Sequence, residues 1–169
     1  MNRRELLAGL AGTAVVGGGA AYAFSSQTEE TIEPVTVEQI DESGTVTGEL
    51  TVPQRGEPTV LTVFATWCST CRRTMPEVVR AHEQTDGAQF VSVSNEAVGQ
   101  TVTREDVGGW WAEHGGGWPV GLDTDLELTE TFDVRAVPHT VVLDAANRVV
   151  YDEQGSKTAA DITDALDET

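Results

Sequence analysis

Phe64-Ala65-Thr66-Trp67-Cys68-Ser69-Thr70-Cys71-Arg72-Arg73-Thr74-Met75-Pro76 is the stretch on which the reading of this chain turns. Just upstream, Pro58-Thr59-Val60-Leu61-Thr62-Val63-Phe64-Ala65 is an apolar, β-branched run with no helical period, which reads as a buried central strand. Downstream, Met75, Val78, Val79 and His82 recur at helical spacing. A strand therefore passes into a helix through two cysteines spaced C-x-x-C. At such a helix start, free backbone N–H groups and the positive end of the helix dipole favour a thiolate. Cys68 is the expected nucleophile. Cys71, three residues on, shares its face of the helix and lies within reach of a disulfide, which makes it the resolving thiol of a thiol–disulfide exchange.

Two blander readings compete for the pair. A structural zinc site wants four ligands, and the chain offers one cysteine pair with scattered His82, His114 and His139. A purely structural disulfide stabilises little when the loop it closes is so short.

Working outward, Val35–Ile40 and Thr45–Val52, separated by Asp41-Glu42-Ser43-Gly44, suggest a hairpin. Phe90–Ser94 is the next strand. Thr103-Arg104-Glu105-Asp106 has the form of a capping box opening a helix through His114, which Gly115-Gly116-Gly117 ends. In that helix one of Trp110 and Trp111 should face the core and the other the surface. Trp118–Leu122 reads as a short strand and Asp125–Phe132 as a short helix. Thr140–Leu143 with Val149–Tyr151 form a hairpin, and a last helix covers about Thr158–Leu166. A β-α-β start followed by a hairpin and helix indicates an α/β fold with a mixed central sheet.

The 169 residues suit one domain, expected over 35–169, with an appendage before it. Leu6 to Phe24 carries no charge. Preceded by Arg3-Arg4 and containing Ala21-Tyr22-Ala23, it has the layout of a signal peptide of twin-arginine type over residues 1–23, followed by a polar linker over 24–34. Export in a folded state is the expectation. If helical and uncleaved, residues 6–24 would reach about 28 Å and could serve as a membrane anchor, although Gly17-Gly18-Gly19 make a poor spanning helix.

Acidic residues number 28 against 10 basic ones, Lys157 being the only lysine, for a formal charge of -18. Nucleic acid and anionic membrane surfaces would be repelled. Apolar residues at 39% argue against disorder, so the charge reads as a solvated shell of the kind used by extreme halophiles.

The Phe64–Pro76 segment resembles the active-site segment of the TlpA/ResA-like thioredoxin family. Glu113-His114-Gly115, Trp118-Pro119-Val120 with Leu122-Asp123, and Phe132-Asp133-Val134-Arg135-Ala136-Val137-Pro138-His139-Thr140 are similar to that family in order and spacing. The resemblance implies a thioredoxin fold with an N-terminal hairpin and an inserted strand and helix, acting without a cofactor or metal on disulfides or dithiols of exported proteins. It implies a monomer located outside the cytoplasm, served by an upstream electron donor. Pro138 would be the cis-proline facing the cysteines, leaving the Val137 backbone free to pair with an extended substrate. Trp67 would offer an apolar contact surface beside the pair. Family members often carry a carboxylate at the positions held here by Thr62 or Thr74, so the proton of Cys71 must leave through water or Glu77. The dipeptide Ser69-Thr70 lacks the histidine of strong oxidants and points toward a reductant or isomerase.

Two other functions stay open at this point. A peroxiredoxin-like peroxidase would want Thr and Pro upstream of its cysteine where this chain has Ala65 and Leu61. A copper carrier could use both thiolates and His139, though its cysteines are usually three residues apart.

Overall fold

The computed structural model describes residues 31–169, so the signal peptide expected over residues 1–23, the anchor alternative over 6–24 and the first part of the expected linker lie outside the described residues. Thr31 bridges to Arg148, and the Ile32 N–H donates to the Asn147 carbonyl at 2.9 Å. The apolar side chain of Ile32 packs on the core, whereas Glu33 and Pro34 are exposed.

A seven-stranded mixed sheet runs in the order β2-β1-β5-β4-β3-β6-β7. Its members are β1 (Val35–Ile40), β2 (Val46–Val52), β3 (Thr59–Phe64), β4 (Gln89–Ser94), β5 (Val120–Leu122), β6 (His139–Leu143) and β7 (Val149–Gln154). The helices are α1 (Ser69–Gln84), α2 (Arg104–Glu113), α3 (Glu127–Thr131) and α4 (Ala159–Asp167). Strand β3 lies between β4, its parallel neighbour, and β6, its antiparallel one. Every residue of β3 is buried. Val60 and Phe64 face α1, α2 and α4, whereas Leu61 and Val63 face the cluster holding Leu128 and Phe132. Burial on both faces is the physical reason the strand reads as a continuous apolar run.

The β1–β2 hairpin extends the sheet because β1 pairs antiparallel with β5, and β5 in turn pairs parallel with β4. Helix α2 and β5 are the inserted elements between β4 and α3. Gly108 in α2 marks how tightly they dock: a Cβ there would meet the Asp41 carbonyl oxygen at 2.2 Å. Any side chain would push the hairpin away. Trp110 stacks on Phe64 at 4.8 Å. Trp110 is buried, whereas Trp111, its neighbour in α2, is half-covered, its ring edge-on to Trp118 at 6.5 Å. Gly116 lies against the Trp111 ring, where a Cβ would come within 2.2 Å, so Trp110 is in the core and Trp111 keeps part of its ring at the surface.

Candidate active site

Strand β3 ends in buried Phe64 and Ala65, and a tight turn follows in which the Cys68 N–H donates to the Ala65 carbonyl at 3.1 Å. The turn throws Trp67 outward, 74% exposed, so it is not a core residue. Cys68 is itself the N-cap of α1, and its Sγ accepts the Cys71 N–H at 3.0 Å. An N-cap acceptor satisfies one of the helix's orphan donors, a role usually held by oxygen. Here sulfur holds it.

Cys68 and Cys71 form a disulfide with Cα atoms 5.2 Å apart. Both cysteines are buried, Cys68 at 4% and Cys71 at 1% exposed, so in this oxidised state Cys68 is not the open thiol expected of it. One cause is visible: the Val137 carbonyl oxygen lies 3.4 Å from Cys68 Sγ. The Val137–Pro138 peptide is cis, and β6 starts at the next residue. The structure thus brings together Cys68, Cys71 and the Val137–Pro138 segment, 69 positions away in sequence from Cys68 to Val137.

Thr62 and Thr74 are buried, and the Thr74 hydroxyl donates to the Thr70 carbonyl at 3.0 Å. Glu77 is engaged elsewhere. Its Oε2 accepts the Ala159 N–H at 3.0 Å at the start of α4, and its Oε1 pairs with Arg80. A different carboxylate stands at the redox turn. Glu96, 9% exposed, accepts the Thr66 N–H at 2.7 Å and the Thr66 hydroxyl at 2.9 Å, with the Ser94 hydroxyl at 3.2 Å. Sequence reading missed it, although a signal existed. In the parallel register Phe64 aligns with Ser94, so two residues on Thr66 falls beside Glu96, at the strand ends where α/β folds place their sites.

The family profile described as Redoxin matches residues 28–167, which include the whole described sheet and the cysteine turn. The chain belongs to the Redoxin family.

This Redoxin chain is 27% identical over 114 residues to the thiol-disulfide oxidoreductase ResA of Bacillus subtilis, covering 66% of this chain and 61% of that protein. The match therefore spans about three fifths of that relative's length. It is 22% identical over 129 residues to the sporulation thiol-disulfide oxidoreductase A of the same organism, covering 73% of this chain and 76% of the other. Among solved structures, StoA from Bacillus subtilis superposes with a TM-score of 0.64 at 19% identity, over 79% of this chain and 97% of that one. The exposed lipoprotein thioredoxin Etrx1 of Streptococcus pneumoniae gives 0.64 at 22%, over 80% and 100%. These likenesses fix the fold as that of thioredoxin-like proteins.

The histidines of this Redoxin chain are occupied by packing and pairing. His82 lies between Phe90 and Trp118, each ring centroid 5.0 Å away. His114 Nδ1 is 2.6 Å from the Trp110 carbonyl. His139 Nε2 is 2.5 Å from Asp152 Oδ1. Among the described residues no three His, Cys, Asp or Glu side chains converge as a metal site would require.

Proposed function

We propose that the chain is a thiol–disulfide oxidoreductase that reduces disulfides of exported proteins through Cys68 and Cys71. The observation that carries this reading is the seat of Cys68 Sγ, held between the Cys71 N–H at 3.0 Å and the Val137 carbonyl at 3.4 Å. In the reduced protein the same N–H and the α1 dipole favour the Cys68 thiolate. That thiolate attacks one sulfur of the client disulfide, a mixed disulfide forms, and the displaced client thiolate takes a proton from solvent. Cys71 loses its proton to water, its thiolate attacks Cys68 Sγ, and the second client thiol leaves. The intramolecular disulfide described above is the product. Two electrons pass to the client, and an upstream dithiol donor must return them.

Trp67, exposed beside the pair, and the Val137–Pro138 segment supply the surface on which an extended client segment lies. The uncharged run over residues 6–24 with Arg3-Arg4 supports export, by cleavage after Ala23 or with the run kept as an anchor. Cleavage would remove two arginines and one glutamate, taking the charge from -18 to -19. This acidic shell supports work as a monomer at high salt, where a melting temperature that climbs between about 0.1 M and 1 M NaCl is the expected result.

An insulin-reduction assay on the dithiol form tests the main reading, with turnover expected. No turnover, together with tight Cu(I) binding by the reduced protein, would replace it with a copper carrier.

A further inference from the structure

Of the ten basic residues, Arg3 and Arg4 lie outside the described segment, which leaves eight. Six of these, from Arg55 to Lys157, each lie within 4.0 Å of a carboxylate oxygen. Such pairing is what a chain with 28 acidic residues should produce. The two that stand apart are Arg72 and Arg73, both exposed and both directly after Cys71. Arg73 Nη2 donates to the Thr70 hydroxyl at 3.0 Å, a neutral partner inside the C-x-x-C loop. The first turn of α1 holds no acidic residue. Among the described residues, then, these two cations beside the redox loop have no carboxylate within 4.0 Å, on a chain that carries 28 acidic residues.

We infer that Arg72 and Arg73 form a docking patch for an acidic segment flanking the client's disulfide. The inference rests on the oxidoreductase reading and adds the chemistry of the client. A basic client would be drawn to the acidic shell anywhere and repelled at the cysteines. An acidic segment finds two cations without an ion-pair partner beside the cysteines. The arrangement therefore orients as well as attracts, and it selects by repulsion as much as by contact. Arg is suited to the task, since its planar guanidinium binds a carboxylate through two parallel hydrogen bonds.

Three synthetic peptides test it, each closed by one disulfide and differing only in whether glutamate, serine or lysine flanks the cysteines. The reduced protein is assayed at 0.15 M NaCl, where the Debye length of about 8 Å screens distant carboxylates and leaves contacts in place. An exposed ion pair changes an equilibrium by about 1.4- to 5-fold. Two pairs should raise kcat/KM for the glutamate peptide about threefold to tenfold over the serine peptide, with the lysine peptide slowest. Arg72→Glu with Arg73→Glu should reverse the order, and Arg72→Gln with Arg73→Gln should level it. Loss of these cations also alters the Cys68 thiolate, but that acts on all three peptides alike and cancels in the ratio. Equal kcat/KM for the three peptides with wild type, or an unchanged order in the charge-reversed protein, overturns the docking patch. Reduction of none of them by wild type would instead sink the oxidoreductase reading.

Discussion

Helices α2 and α4 begin in one way and α1 in another. Thr103 caps α2 and Thr158 caps α4, each in a capping box closed by an aspartate three residues on, Asp106 and Asp161. Their first turns are acidic, which satisfies the helix dipole. Helix α1 has sulfur as its cap, no carboxylate in its first turn and two arginines just beyond. By the rules that stabilise helices, it starts badly. It is the longest of the three at 16 residues against 10 and 9, and buries Cys71, Thr74, Met75, Val78 and Ala81. Packing holds α1, whereas the capping boxes help hold α2 and α4. The electrostatic capacity of the α1 N-terminus is thereby left to the chemistry of an anion.

The contrast breaks most visibly at the cap. Cys68→Ser should drop disulfide reduction to background while the helix keeps an adequate hydroxyl cap. Cys71→Ser should leave a nucleophile that holds its client, seen as dithiothreitol-sensitive adducts on gels. Adducts from Cys68→Ser alone would mean that the two roles are exchanged.

Glu96 is next, since it is the carboxylate that steadies the entry to α1 from outside its first turn. Glu96→Ala strands the Thr66 N–H and should cost about 2 kcal/mol in urea denaturation. A change below about 0.5 kcal/mol would show that the turn holds itself.

For the two boxes, Thr103→Ala and Thr158→Ala should each cost about 1 kcal/mol near neutral pH. Asp106 is held below the usual carboxylate range by the Thr103 hydroxyl and backbone, and Asp161 by the Thr158 backbone and hydroxyl. A lowered folded value stabilises above the unfolded pKa of about 3.9 and loses that effect as pH falls through the folded value. The wild-type advantage over both variants should therefore shrink below about pH 4. An advantage that is constant down to pH 2 would contradict it.

The smallest effect sharpens the comparison. Ser69→Asp gives α1 the acid its siblings have, and should stabilise it by about 0.3–1 kcal/mol while disfavouring the Cys68 thiolate beside it. Alkylation rate against pH reads this directly. An unmoved pKa would mean the helix start does not govern the thiolate.

The legible parts were those where one local rule decides. The β-branched run of β3 and the Thr103 box could be read without knowing any partner. Resemblance supplied Pro138, which local rules would have left trans. What escaped depends on long-range register. Glu96 becomes meaningful only when β4 lies beside β3, and Ile32 only when the β6–β7 turn reaches it. The strand expected over Trp118–Leu122 shortens to Val120–Leu122, and Trp118 sends its indole N–H to the Ser92 hydroxyl at 2.9 Å. The short helix starts two residues late because Leu126 turns left-handed, with φ 60, and Asp123 receives the N–H groups of Leu128 and Thr129.

Trp67 has an optical consequence. Of the four tryptophans, Trp110 and Trp118 are buried and Trp111 is half-covered, so only Trp67 meets water freely. A collisional quencher such as acrylamide should silence its red-shifted emission first and leave the other three glowing. Since this indole adjoins Cys68, the protein carries a built-in lamp at its redox loop. Its dimming and recovery would time the arrival and departure of a client in an unlabelled, unmodified molecule.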